Sequence, residues 1–271
     1  MKQIAIILSL TCIFGCQSIV ENVPLPETEV KAVAFGYFDN LNLANKQNIS
    51  LTKSKPVFYS ANSRSSDYES IQDAEITITC NGENYEFYYE ALEEEYEPSQ
   101  VVNLQSGSEY TLTVNSPEFG VLKSVQTMPH PVGGYTIKID STVKEYETEY
   151  RVSIELENPL NQYYRIEVFT GSSISFDPEG IYVNKEYFEF SGSENQKLTT
   201  SFTDWNSKSS GVNRSINLIL SSITEDYYNY GKLLKNYDPQ NPFSEPTLLP
   251  SNMEGGLGMF ALSSGVVIQI R

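Results

Sequence analysis

The sequence predicts a mostly β protein built from two β-rich domains. Three observations support this fold class: apolar and polar residues alternate in short stretches, turn residues separate these stretches, and 19 Tyr and 13 Phe occur in 271 residues. We predict an immunoglobulin-like or transthyretin-like sandwich over residues 29–128 and a second β-rich domain over residues 135–271. The second domain is expected to carry one helix near residues 223–237.

The first domain reads as a series of short strands joined by turns. Ile76, Ile78 and Cys80 alternate with threonines, and Asn81-Gly82 follows directly. Asn-Gly is a strong hairpin signal because both residues tolerate positive φ. Cys80 shares a face with apolar residues and is expected to be a buried small hydrophobe. The predicted strands cover residues 30–38, 49–54, 75–80, 85–89, 110–114 and 121–127.

A linker is predicted at residues 129–134, where two prolines and two glycines lie close together. His130, the only histidine, lies between the prolines. A single histidine leaves little room for catalytic triads or multi-histidine metal sites. We therefore predict that His130 is a solvent-exposed linker residue.

Strands resume in the second domain, and one segment has helical periodicity. Ser222 and Glu225 fit a capping box, in which both side chains bond free amides at a helix start. Tyr227, Tyr230, Leu234 and Tyr237 then recur near the helical period, and packing is the expected role of this stripe. The predicted strands cover residues 135–139, 152–156, 164–168, 181–190 and 216–220.

The charge balance is strongly acidic, with 35 Asp and Glu against 18 Lys and Arg and a net charge of −17. Such a chain is not expected to bind nucleic acid, because it has too few cations to neutralise phosphates. The acidic run at residues 90–97 lacks the spacing of a calcium loop, and we predict a solvated loop there. No metal site, cofactor or catalytic residue is predicted.

The N-terminus has the pattern of an export signal. Lys2 precedes an apolar run over residues 4–14, which is too short to span a bilayer as a permanent helix. The run ends in Ile13-Phe14-Gly15-Cys16, which resembles the bacterial lipobox. This resemblance implies that residues 1–15 are a lipoprotein signal peptide, that cleavage separates Gly15 from Cys16, and that Cys16 carries acyl chains such as palmitate. An ordinary signal peptide with an incidental cysteine is the alternative.

Residues 16–28 contain two prolines and no periodicity, so an extended tether is predicted after the anchor. Glu21 is the only acidic residue among the first ten that follow Cys16. Acidic tracts at this place favour surface display in Bacteroidota lipoproteins. The choice between the periplasmic face and the cell surface therefore stays open.

Several motifs resemble, in order, the Bacteroidota lipoprotein family catalogued as domain of unknown function 4249. The C-terminal third contains Asn241-Pro242-Phe243-Ser244-Glu245-Pro246 and Ser251-Asn252-Met253-Glu254-Gly255-Gly256-Leu257-Gly258-Met259-Phe260. Earlier landmarks in the same order are residues 29–37, 72–78, 109–114, 127–129 and 163–165. The resemblance implies an outer-membrane lipoprotein that is often found beside TonB-dependent receptors, with no established catalytic residues or ligand.

The glycines of the closing motif have a structural and a functional interpretation. Gly255, Gly256 and Gly258 are expected to form a tight turn and a close backbone approach at the start of a strand over residues 257–262. A ligand-facing loop is the alternative. The structural interpretation is favoured because no helix follows to bind phosphate.

Five aromatic residues lie in loops or on faces opposite the predicted core. They form a candidate binding surface, because tyrosine-rich surfaces bind with little loss of side-chain entropy. Packing between the two domains is the competing explanation. The residues are Tyr88, Tyr163, Phe169, Trp205 and Tyr228.

We therefore expect a non-enzymatic lipoprotein of the outer membrane that assists a TonB-dependent receptor in nutrient uptake, with an unknown ligand. One alternative is a fimbrillin-like adhesin or pilus component, but Lys31 is the only basic residue between Cys16 and Lys46 that would serve as a strand-release site. Another is a glycan- or peptide-directed hydrolase, which would need a pocket with two close carboxylates.

Overall fold

A computed structural model describes residues 29–41, 47–55, 68–145, 147–157, 159–171, 182–190, 196–204, 215–236 and 249–270. The predicted signal peptide, the predicted tether, Cys16 and Trp205 lie outside these residues. The described chain is mostly β with one helix, which confirms the predicted fold class. The strands are β1 (Ala32–Asp39), β2 (Ile49–Lys53), β3 (Glu75–Cys80), β4 (Glu83–Glu90), β5 (Glu95–Pro98), β6 (Glu109–Ser116), β7 (Gly120–Thr127), β8 (Tyr135–Val143), β9 (Thr148–Leu156), β10 (Tyr163–Gly171), β11 (Tyr182–Glu189), β12 (Gln196–Asp204), β13 (Ser215–Ile223) and β14 (Leu257–Gln269), and the helix is α1 (Glu225–Asn236).

The strands form two sheets. The large sheet has the order β11-β10-β13-β14-β1-β2-β5-β4-β3-β6-β7, and the small sheet has the order β12-β9-β8. Neighbouring strands are antiparallel except β1 and β14, which run parallel from the pair Val33–Leu257 to the pair Asp39–Ser263. These two segments are far apart in sequence, so the parallel pair joins the two ends of the described chain.

Strands β1–β7, together with β14 from the C-terminal end, fold as two facing sets of strands around one apolar core. The set β14-β1-β2 faces the set β5-β4-β3-β6-β7. A single pair, Ile49 with Tyr96, joins the sets at one edge, and two backbone hydrogen bonds between Lys123 and Glu254 join them at the other. The core between the sets includes Ala34, Phe38, Leu51, Ile76, Ile78, Tyr110, Leu112, Leu122, Phe260 and Leu262.

Local chemistry accounts for the strand boundaries in this half. Asn81 and Gly82 have φ of 51° and 84°, which confirms the predicted hairpin between β3 and β4. Cys80 is buried at 5 % exposure, as predicted. The prediction of a loop over the whole acidic run was wrong, because Glu95–Pro98 forms β5 and only the residues before it form a turn.

The small sheet packs on the second part of the large sheet and encloses a second core. Alternate residues of β9 point inward, and β10 and β13 supply the facing layer. Burial of these branched apolar side chains stabilises the pair of layers. The second core includes Val152, Ile154, Leu156, Tyr164, Ile166, Val168, Leu198, Leu218 and Leu220.

Strand β14 contributes to both cores. Phe260 and Leu262 pack in the first core, whereas Val266 and Ile268 pack against the second. The large sheet therefore contains strands from both sides of the predicted linker at residues 129–134. The division into two domains stays a prediction. The linker is anchored at His130, which is exposed as predicted and whose backbone N–H and C=O bond the side chain of Asn161 at 3.0 and 2.9 Å.

Helix α1 covers the other face of the large sheet, over β1, β14, β10 and β11. The predicted capping box was wrong. Ser222 lies in β13, and its hydroxyl donates to the backbone carbonyl oxygens of His130 and Ser264 at 2.6 and 3.0 Å. The helix begins instead at Glu225, after Thr224, whose carbonyl accepts the first helical bond from Tyr228 at 3.0 Å. In the part of the chain that the model describes, no helix combines the length and hydrophobicity that a membrane crossing needs.

Candidate functional site

The structure separates the predicted aromatic surface into exposed and packed residues. Tyr88 is 50 % exposed on the outer face of β4, and its hydroxyl donates a 3.4 Å bond to Glu97. Tyr228 is only 5 % exposed, because it packs against Tyr163 with ring centroids 4.9 Å apart. Tyr228 is therefore buried by a partner within residues 135–271, not by packing between the two predicted domains. The side chains of Phe169, in β10, and Trp205 lie outside the description.

Helix α1 packs through part of the predicted stripe, because Tyr227 and the partly buried Tyr230 both belong to its apolar contact with the sheet. Tyr227 and Tyr228 are buried, whereas Leu234 is 45 % exposed. Gly231 faces the ring of Tyr187, where a Cβ atom would overlap the ring. The helix therefore lies close to β11 because residue 231 has no side chain. Tyr237 lies beyond the described part of the helix.

Beneath the helix lies a buried ionic group that the sequence did not reveal, here called the Arg165 cluster: Tyr37, Arg165, Glu167, Lys185 and Tyr227. The Arg165 guanidinium donates from Nη1 to Tyr227 at 2.7 Å and from Nη2 to Tyr37 at 2.6 Å. The same Nη2 lies 2.6 Å from Glu167 Oε2, and Glu167 Oε1 lies 2.7 Å from Lys185 Nζ. Arg165 and Glu167 are each 4 % exposed.

The electrostatics of the Arg165 cluster favour a charged arginine beside a protonated Tyr37. Burial opposes the charge of Arg165, but Tyr227, Tyr37 and Glu167 together raise its pKa well above the ordinary value. Burial also raises the pKa of Tyr37 far above that of an exposed tyrosine. The guanidinium carbon lies 4.9 Å from the Tyr37 ring centroid and 5.2 Å from that of Tyr227, which adds cation–π attraction.

The Arg165 cluster thus joins β1, β10, β11 and α1 through bonds centred on the buried Arg165 and Glu167, while the Lys185 side chain is 38 % exposed. A group this deeply buried and paired stabilises the position of the helix rather than receiving a ligand. Arg165 and Glu167 alternate along β10 with Tyr164, Ile166 and Val168, which face the second core. This alternation places both charged residues on the other face of the strand, so the sequence pattern assigned them to water and gave no sign that α1 covers them.

A polar cleft of about 530 Å³ opens on the small sheet, around the end where β8 and β9 form a hairpin. The register places Arg151 between Asp140 and Ser201, and Glu149 between Thr142 and Thr203. Donors and acceptors therefore alternate across three strands. The cleft is lined by Asp140, Thr142, Glu149, Tyr150, Arg151, Ser201, Phe202 and Thr203.

Two carboxylates in this cleft raise the question of hydrolysis. Asp140 lies 3.1 Å from Lys138 Nζ, and Glu149 pairs with Lys144. The side chains of Asp140 and Glu149 are 56 % and 47 % exposed, so water and lysine solvate both charges. A catalytic carboxylic acid is usually desolvated, whereas both of these side chains are about half exposed. The cleft is suited to hydrogen bonding with a polar ligand.

The glycines of the closing motif occupy sites where side chains do not fit. Gly255 and Gly258 have φ of +79° and +125°. A Cβ at Gly255 would overlap the Val121 carbonyl oxygen, and a Cβ at Gly258 would overlap the Ala34 carbonyl oxygen. At Gly256 a Cβ would lie 2.8 Å from the Ala32 carbonyl oxygen. The predicted close backbone approach is therefore confirmed, and the strand that follows begins at residue 257 as expected. Gly255 and Gly256 also line a shallow cleft of about 550 Å³.

Among the described residues, no three His, Cys, Asp or Glu side chains are grouped to hold a metal ion. The Arg165 cluster and the polar cleft offer no thiol or imidazole. A role in hydrogen-bonded recognition fits the exposed polar cleft.

A family model described as "Domain of unknown function (DUF4249)" matches residues 26–267. The chain belongs to this family. The match confirms the resemblance carried by the closing motif, in which Asn252 bonds the backbone of Phe260 on both sides at 2.7 and 2.8 Å. These bonds align the segment before β14 with the strand itself.

Comparison with known proteins adds little on the chemistry of this DUF4249 chain. A search of curated proteins finds no match. A crystal structure of a "putative carbohydrate binding protein" from Bacteroides uniformis ATCC 8492 aligns over 88 % of this chain and 98 % of that one, at 9 % identity and a TM-score of 0.23. A score this low does not establish a shared arrangement, and no functional argument rests on it.

Proposed function

We propose that this DUF4249 protein is an outer-membrane lipoprotein, anchored through acyl chains on Cys16, that acts as a non-enzymatic accessory or binding component of a TonB-dependent nutrient receptor. The observation that carries the proposal is the lipobox-like Ile13-Phe14-Gly15-Cys16 at the end of an export signal. Residues 16–28 reach at most ~45 Å when extended, so the β-fold would stay close to the membrane surface.

Two described features support recognition rather than catalysis. The polar cleft presents solvated, lysine-paired carboxylates beside hydroxyls and a guanidinium. Tyr88 projects from an outer sheet face, where an amphipathic ring suits contact with a partner protein or a ligand. Both features lie on strands of a packed scaffold, which limits the entropy lost on binding.

The anchor is tested by substituting each cysteine of the N-terminal segment. Cys16→Ser should abolish labelling by radioactive palmitate and release the protein from the membrane fraction. Cys12→Ser, four residues earlier within the signal, is the matched control and should label normally. Labelling that survives in Cys16→Ser would overturn the lipoprotein assignment.

The receptor association is tested by affinity purification from solubilised outer membranes under induced expression. A TonB-dependent receptor should be recovered with the wild-type protein and recovered less with Tyr88→Ala. Leu92→Ala, at a turn residue 92 % exposed, is the control and should leave recovery unchanged. Recovery of the lipoprotein without any receptor would refute this part of the proposal.

A hydrolase would reveal itself by product formation. Purified protein incubated with glycan and peptide mixtures should release no fragments. Release of fragments that is lost in Asp140→Asn but kept in Glu155→Gln, on the same outer sheet face, would replace the binding proposal with an enzymatic one.

A further inference from the structure

Strand β8 lies at an open edge of the small sheet, where it pairs only with β9 among the described strands. It is nine residues long and exposed along most of its length. Ile139 is 37 % exposed and Val143 is 61 % exposed. A long, exposed edge strand with apolar residues is a template for pairing with another strand.

The exposed apolar residues of β8 belong to its inner face. Ile139 pairs with Val152, which is fully buried in the second core, and Val143 pairs with Thr148, which is 6 % exposed. Side chains opposite one another in a sheet lie on the same face. The inner face of the small sheet is therefore covered over β9 but left open at the end of β8, as expected if a further strand belongs beside it.

The hydrogen-bond pattern shows which backbone groups of β8 face the open edge. Gly134 accepts from the Glu157 amide at 2.8 Å, and Lys144 donates to the Glu147 carbonyl at 2.8 Å. In an antiparallel pair, alternate residues bond to one neighbour, so the even-numbered residues of β8 bond to β9. The odd-numbered residues direct their N–H and C=O groups outward, and no described backbone group bonds them there.

We propose that β8 pairs with β8 of a second copy of this chain, antiparallel and centred on Ile139, so that two small sheets join into one of six strands. In this register the outward-directed odd-numbered residues of the two copies form backbone hydrogen bonds with one another, and Ile139 of one copy lies opposite Ile139 of the other. Lys138 lies opposite Asp140 of the second copy, and Asp140 lies opposite that copy's Lys138. Tyr135 lies opposite Val143 of the second copy, which extends the open apolar face.

Charge complementarity selects both the occupant and the register. A shift of the pairing by two residues would place Lys138 opposite Lys138 or Asp140 opposite Asp140, and like charges directly opposite are destabilising. A shift by one residue would bring outward-directed groups against groups already bonded to β9. The proposed register also pairs all nine residues of β8. The strand is thus complementary to itself, which favours a symmetric dimer over an unrelated partner.

A cysteine scan in native membranes tests this dimer. Ile139→Cys should form an interchain disulfide under mild oxidation, because residues opposite each other in a bonded pair have Cα atoms about 5.5 Å apart. Val143→Cys is the control. It is more exposed, but its two copies would lie ~27 Å apart. A dimer band for Ile139→Cys that clearly exceeds that of Val143→Cys supports the proposal. Equal bands, or no band at residue 139, overturn it.

Charge reversal provides a second test that does not depend on an introduced thiol. Lys138→Asp and Asp140→Lys should each weaken dimerisation of the full chain in detergent by about tenfold, because each creates two like-charge pairs. The double variant, or an equimolar mixture of the two single variants, should restore the dimer. Glu155→Lys, on the central strand β9, should have no effect. Unchanged dimerisation in the single variants, or no rescue in the mixture, refutes the register.

Discussion

Gly258 is the position where the structure tolerates a side chain least, and its substitution gives the sharpest test of how β14 joins β1. Its φ is +125°, and an added Cβ would overlap the Ala34 carbonyl oxygen and lie 2.7 Å from the Ala34 carbonyl carbon. Gly120 is the matched control, because its φ of +77° is also positive but a Cβ there meets nothing within 4 Å.

The magnitudes follow from two separate costs. An alanine at positive φ costs about 1–2 kcal/mol of backbone strain at either position. At Gly258 the overlap must also push β1 away from β14, which breaks bonds of the parallel ladder at about 1 kcal/mol each and loosens packing around Phe260. We therefore expect Gly258→Ala to destabilise the fold by about 4–6 kcal/mol and Gly120→Ala by about 1–2 kcal/mol.

Thermal unfolding of the purified variants measures this difference. For a chain of this size, 1 kcal/mol shifts Tm by about 2–4 °C. Gly258→Ala should lose roughly 10–20 °C or fail to accumulate, whereas Gly120→Ala should lose only about 2–8 °C. A Gly258→Ala protein that melts with the wild type, or no lower than Gly120→Ala, would show that the strands do not approach as closely as described.

Three further outcomes follow from charged and hydrogen-bonded side chains. Glu167→Leu should lower the free energy of unfolding in urea by about 3–5 kcal/mol, because it leaves the Arg165 charge poorly compensated. Adding Arg165→Met should recover part of that loss. A double variant less stable than the single one would contradict this expectation. Burial raises the pKa of Tyr110 to about 12, so the folded protein retains a phenol proton that the unfolded chain loses near pH 10. Stability should therefore be full below pH ~10 and decline as pH rises through 12, and a tyrosinate absorbance titration in which Tyr110→Phe removes no late-titrating group would argue against it. Asn161→Ala should cost about 0.5–1.5 kcal/mol, because the His130 N–H loses its side-chain acceptor while its carbonyl oxygen keeps the Ser222 hydroxyl, and faster amide exchange at residue 130 would report it.

Much of the strand pattern was readable from the sequence because it depends on local chemistry. Asn81-Gly82 marked a hairpin through residues that tolerate positive φ, and the alternation in residues 75–80 marked the buried face of β3. The closing glycines indicated a close backbone approach. Burial of Cys80 followed from its place on an apolar strand face.

The candidate site was less readable because it depends on contacts between distant segments. Asp140, Glu149 and Arg151 come together only through the register of the small sheet. Tyr228 was assigned to an outer surface, yet the rotation of α1 buries it against Tyr163.

The sequence by itself determined that this is a β-rich chain of the DUF4249 family, because composition, alternation and turn residues act over a few neighbouring positions. Tertiary structure alone decided which strand faces are covered. Arg165 and Glu167 are buried because α1 adds a layer over a face that alternation assigns to water, and β14 belongs to both cores because it pairs with β1 from the opposite end of the chain. Local sequence does not determine either arrangement, because each depends on which distant segment packs over the strand face and excludes water from it.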